Sequence, residues 1–222
     1  MFGLKNSVLG RTFKTTETTG AYDGICLKET AGMATGLIAG TQIATNIGWR
    51  AVEAIASGDL AMTFDGGMQK VRRVSRHVLW SSLKNCPEHL WPLEVPVGAM
   101  GNKEVMHLLP EQNVMVESDA AEELFNDPFA LIPAAALHGF REIHRVCPHA
   151  EVVVYTLHFE TEQVVFAQCG MLFHCMPDEI LLNDAINDVA YNVVPMKQAK
   201  TLVQYMTYEN NGGAVNCKHM AA

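Results

Sequence analysis

The sequence predicts a mainly β domain of short strands followed by two amphipathic helices. Three observations carry this expectation. Between residues 41 and 175, brief apolar runs are divided by turn signals, and many alternate apolar with polar positions and are rich in β-branched residues. An Asp65-Gly66-Gly67 step separates two of these runs, as a hairpin needs. After Pro177 the apolar spacing changes to three and four residues, the period of a helix.

Residues 1–34 are rich in Thr, Gly and Lys without a sustained period, and read as a flexible leader. The strand-like runs then follow: TQIAT (41–45), WRAVEAI (49–55) and residues 59–64, which lead into the Asp-Gly-Gly turn. Next come KVRRVSRHVLW (70–80), PLEVPVG (92–98), NVMVES (113–118) and FALIPA (129–134). The last two are EVVVYTLHFE (151–160) and EQVVFAQCGMLFHC (162–175). One helical turn interrupts them, SDAAEELF (118–125), where Ser118 or Asp119 caps the first turn and acidic residues face the positive end of the dipole. Beyond Pro177, Ile180, Leu181, Ala185, Ile186 and Val189 form one apolar stripe; Met196, Ala199, Leu202, Val203 and Met206 form a second. Both helices are expected to pack on the β domain or on a partner. The organisation is a leader over 1–34, a β domain over 35–176, a helical appendage over 177–209 and a flexible tail over 210–222.

Composition narrows the function. With 222 residues, 49% of them apolar, the chain can bury a substantial core. Net charge is −8 and the sixteen Lys and Arg are scattered, so nucleic acid is not an expected partner. No stretch of eighteen apolar residues predicts a membrane span. The N-terminus lacks the apolar core of a secretory signal, so a cytoplasmic location is expected, with signal-independent export left open. The six Cys, widely spaced, read as reduced, mostly buried thiols, with Cys169 and Cys175 as small core residues. Trp49, Trp80 and Trp91 read as hairpin and core anchors.

His144, Cys147 and His149, and separately Cys86 and His89, are zinc-ligand types at short spacing, but their proline-containing context reads equally well as turns. No metal or other cofactor is expected. The acidic run Glu117, Asp119, Glu122 and Glu123 reads as a solvated face. Phosphate-binding glycine loops, G-x-S-x-G and H-E-x-x-H are all missing, which leaves common hydrolase, kinase and dehydrogenase readings without a foundation.

Four segments in order resemble the Hint (Hedgehog/intein) family, and most nearly its bacterial branch. They are GTQIATNIGWRAVEAIASGDLAMTFDGG (40–67), LLPEQNVMVESDAAEELF (108–125), FALIPAAAL (129–137) and VVVYTLHFETEQVVFAQCGMLFHC (152–175). The resemblance covers about residues 36–175. It implies a β horseshoe whose first and last strands lie side by side, and an activity of self-catalysed peptide-bond cleavage or splicing. A thiol or hydroxyl on the first residue attacks the preceding carbonyl, and a histidine polarises or protonates the scissile bond.

Mapped onto this chain, the nucleophile position falls on Gly36, which has no heteroatom. The assisting histidine falls on or next to Gln112, in Pro110-Glu-Gln-Asn113, and glutamine cannot transfer a proton near neutral pH. His174 is retained at the domain end, but the asparagine that follows it in splicing relatives is Cys175. Thr45 and Gln112 are the supporting hydrogen-bond groups of the implied site, and His174 its surviving acid. The expectation is a degenerate site whose self-cleavage is absent or very weak. The alternative is a non-catalytic interaction or structural module that binds an unknown protein partner, or a second copy, through the scaffold and the C-terminal helices.

Overall fold

The computed structural model describes residues 35–79, 87–148, 151–167, 170–177 and 191–210. The leader with Cys26, the residues Trp80, Cys86, His149 and Cys169, the helix expected over 180–189, and the tail with Cys217 lie outside the described residues.

Short strands dominate. They are β1 (Leu37–Ile38), β2 (Gln42–Thr45), β3 (Gly48–Ala51), β4 (Leu60–Thr63), β5 (Gly67–Lys70), β6 (Arg73–Leu79), β7 (Leu93–Val95), β8 (Met106–Leu108) and β9 (Asn113–Glu117). Helix α1 (Asp119–Phe125) precedes β10 (Phe129–Pro133), β11 (His144–Arg145), β12 (Val152–His158), β13 (Gln163–Phe166) and β14 (Leu172–Cys175), and α2 (Met196–Asn210) follows. An eight-stranded sheet runs β10-β9-β14-β13-β4-β2-β3, with β5 on β4; two three-stranded sheets run β1-β12-β6 and β11-β7-β8. The fold is mainly β, as the alternating pattern predicts.

Each element has a local cause. In β9, Val114 and Val116 point into the core while Asn113, Met115 and Glu117 do not, the period-two alternation of a strand with one covered face. The turn at residues 65–67 closes the β4–β5 hairpin, with Met62 opposite Met68. Ser118 caps α1, its Oγ accepting from the Ala121 N–H at 3.1 Å. The helix stops where Asn126 adopts a left-handed conformation, φ 59°, and donates its N–H to the Glu122 carbonyl.

Helix α2 settles where its apolar stripe goes. Ala199, Leu202, Val203 and Met206 are buried in the same core as β9, β10 and α1. The preceding segment is stitched to the domain by a Val194 N–H bond to the Leu131 carbonyl at 2.8 Å. Met196 departs from the expected stripe and is 37% exposed. The apolar face of α2 is therefore covered by the β domain rather than left for a partner.

Two further expectations change. The first strand pairs with β12, Leu37 opposite Tyr155 and Ile38 opposite Val154, not with the last described strand. Trp49 is no core anchor: it is 55% exposed. Pairing across β3, β2 and β4 sets it in one row with Ala44, Met62 and Met68 on the outer face.

Candidate functional site

Gln112 is the centre of the site. It follows Pro110 in the tight turn that feeds β9, where its own N–H bonds the Leu109 carbonyl at 3.0 Å. The side chain is buried, and its carboxamide is fully engaged. Oε1 accepts the Gly36 N–H at 2.9 Å and the Thr35 hydroxyl at 3.3 Å. Nε2 donates to the carbonyls of His174 and Asn113, both at 2.9 Å. One side chain thus ties the start of the domain to its last strand, and brings Gly36, Gln112 and the backbone of His174 together.

Gly36 itself is closed to any side chain. Its φ of 119° is one that L residues rarely adopt. A carbon added at its β position would lie 2.6 Å from Val154 Cγ1, 3.1 Å from the Tyr155 carbonyl and 3.3 Å from Thr156 Oγ1. The cause is register: continuing the Leu37–Tyr155 pairing by one residue sets Gly36 directly opposite Thr156. The two strands meet where a nucleophile's side chain would stand.

Thr45 is engaged elsewhere. Its hydroxyl donates to the Gly48 carbonyl at 2.6 Å, inside the β2–β3 turn, so it acts in shaping that hairpin. His174 contributes its backbone to the Gln112 clasp, while its ring lies among Glu162 and Tyr191. Nε2 is 3.9 Å from Glu162 Oε2, beyond hydrogen-bond length, and the ring meets Tyr191 edge-on at 6.0 Å between centroids. Tyr191 in turn donates its N–H to Glu162 Oε2 at 3.3 Å and its hydroxyl to Asp65 Oδ1 at 2.5 Å. Burial and then the Asp65 carboxylate hold the Tyr191 phenol well above its ordinary range. Cys175 does not pair with His174; burial pushes its thiol up to about 12, and it sits in the hydrophobic core.

Desolvation lowers the His174 pKa below its ordinary 6.5, and the Glu162 carboxylate only partly offsets this. The folded state therefore keeps the imidazole neutral, while the unfolded chain binds a proton below 6.5. This contribution to stability is complete above that value and is lost as pH falls through it. Urea midpoints measured from about pH 7.5 to about pH 5.5 should fall, and His174→Phe should flatten the decline. An equal slope in the variant overturns this assignment.

Sequence reasoning missed the groups that decide the site: Val154, Thr156, Glu162 and Tyr191. It also missed a polar cluster beside it, where Ser75, opposite Thr156, meets His158 Nε2 at 3.0 Å and accepts from Arg73 Nη1 at 2.6 Å. No local signal marks any of these, because strand register places Val154, Thr156, Ser75 and His158, and long-range hydrogen bonds seat Tyr191 on Glu162 and Asp65. Of the zinc-type residues, His144 Nδ1 bonds the Glu142 carbonyl at 2.8 Å and Cys147 is exposed. Among the described residues no three His, Cys, Asp or Glu side chains are placed to hold a metal, and no helix is long and apolar enough to cross a membrane.

No curated protein matches the chain. Among solved structures, a bacterial intein-like domain from Clostridium thermocellum is 18% identical with a TM-score of 0.45, covering 63% of this chain and 98% of its own. The MchDnaB-1 intein is 15% identical with a TM-score of 0.37, covering 63% and 99%. The family model described as Hint domain matches residues 35–172, more than half of the chain and the stretch that begins one residue before Gly36. On that match, the chain belongs to the Hint domain family.

Proposed function

We propose that this chain is a Hint domain whose self-cleavage is absent or very weak, and that its scaffold serves as a binding or structural module. The observation that carries the reading is the closed position at Gly36. An acyl shift needs a thiol or hydroxyl carried on a β-carbon at residue 36, and Val154 Cγ1 stands 2.6 Å from where that carbon would be. Gln112 supports the same reading from the other side of the bond. Cleavage needs a proton delivered to the departing nitrogen, whereas the oxygen of a carboxamide faces the Gly36 N–H and has none to give.

Intact mass spectrometry after incubation with dithiothreitol or hydroxylamine tests this directly. The protein should keep its full mass under both reagents. A new fragment ending at residue 35 would show that acyl transfer survives and would sink the proposal.

The interaction reading draws on the outer row of β3, β2, β4 and β5. Trp49, Met62 and Met68 are exposed there, with Ile47 beside them in the turn at 72%. Such a patch is the surface on which a protein partner, or a second copy, would be received. Sedimentation at rising concentration separates wild type from Trp49→Glu if copies associate through it; identical behaviour removes self-association from the reading.

A further inference from the structure

A sizeable cleft lies away from Gly36. It is a cleft of about 780 Å³, within the size range of small-molecule sites, between α2 and the segment running from residue 135 to Arg145. We propose that this cleft binds a small organic anion with a compact apolar body, an activity separate from the autoprocessing site.

Its construction favours that class. Helix α2 turns Lys200, Val203, Gln204 and Thr207 toward the cleft, the i, i+3, i+4, i+7 positions of one face. Its apolar contribution comes from Ala136, Phe140 and Val203, which are among the lining residues and are themselves buried. The rim is cationic and polar. Lys200 and Arg145 face one carboxylate, Glu88, and the imidazoles of His89 and His138 add two further hydrogen-bonding rings. In a chain of net charge −8, a cleft with this balance is a local exception.

The walls are held in place before any ligand arrives. Arg145 Nη1 donates to the carbonyls of His89 at 2.7 Å, Trp91 at 3.3 Å and Glu88 at 3.4 Å, which fixes the guanidinium plane and leaves Nη2 and Nε outside that clamp. Arg141 and Glu142, in the same wall segment, both hold positive φ, 44° and 65°. Arg141 is pinned there by Nη1 on the Ala99 carbonyl at 3.0 Å and by a bond to Asn210 at the end of α2. Strained backbone of this kind persists where surrounding contacts over-determine it. One wall, α2, lies outside the residues matched by the Hint model, so the cleft belongs to the combination of domain and helix rather than to the domain alone.

Phenyl phosphate is the probe, titrated into the isotopically labelled full chain and followed by amide NMR shifts. Saturable shifts are expected at Gly139, Gln204 and Thr207, with an apparent Kd below about 1 mM. Lys200→Glu and Gln204→Glu, both on exposed positions of α2, should each weaken binding at least about tenfold while leaving the melting temperature unchanged. Inorganic phosphate and phenol should each bind more weakly than the probe. Absent or non-saturable shifts, shifts centred elsewhere, or full binding by both variants would overturn the site. Phenol binding as tightly as phenyl phosphate would overturn the anion assignment, and phosphate doing so would overturn the apolar one.

Discussion

Gly36→Cys is expected to destabilise the protein by about 2–5 kcal/mol and to leave it uncleaved. Two costs combine. The backbone holds a positive φ of 119°, which a β-carbon makes unfavourable whatever surrounds it. That carbon would also stand 2.6 Å from Val154 Cγ1, inside van der Waals contact, against a side chain that is itself buried. Restoring the nucleophile alone therefore damages the fold before it can help the chemistry. Val154→Ala should reclaim part of the loss, so the double variant should unfold at a higher urea concentration than the sum of the single effects implies. Strict additivity would mean that Val154 is not the obstacle. Adding Gln112→His to that pair rebuilds nucleophile, space and proton donor together, and a leader-sized fragment from the triple variant would support the mapping of the site.

Gln112→Ala should cost about 2–4 kcal/mol, read from urea or thermal unfolding. The loss is larger than that of an ordinary hydrogen bond because the partners are backbone groups of a buried site. Removing the carboxamide strands the Gly36 N–H and the His174 carbonyl, each held at 2.9 Å. Gln112→Glu distinguishes a clasp from a space-filling role. Its carboxylate can still accept from Gly36 but cannot donate to His174 or Asn113, so it should recover only part of the stability. Hydrogen exchange at the Gly36 amide gives the local readout: faster in both variants, fastest in Gln112→Ala. Wild-type exchange in Gln112→Ala would remove Gln112 from this role.

Much of the fold was legible because it is written in short-range pattern. The Asp65-Gly66-Gly67 turn, the Ser118 cap and the apolar positions of α2 each depend on neighbours a few residues away. Pairing of β1 with β12 does not, nor does the closure of Gly36 by Val154, 118 positions further along. Gln112 shows the limit well. Its residue type excluded proton transfer from sequence alone, yet its orientation, oxygen toward Gly36 and nitrogen toward His174, follows only from the assembled strands. Thr45 shows the converse: a family position identified by order in the chain, whose hydroxyl local geometry has recruited to a turn. Trp49 was misplaced because aromatic residues in a strand usually face inward, and here pleat and register turn it out.

The Gln112 clasp has a consequence for architecture. Because one carboxamide holds both Gly36, ahead of β1, and the backbone of His174 in β14, two stretches of chain 138 positions apart depend on a single side chain. Losing that side chain would slacken both stretches at once, so the opening and closing strands of the described β domain should come loose as one unit.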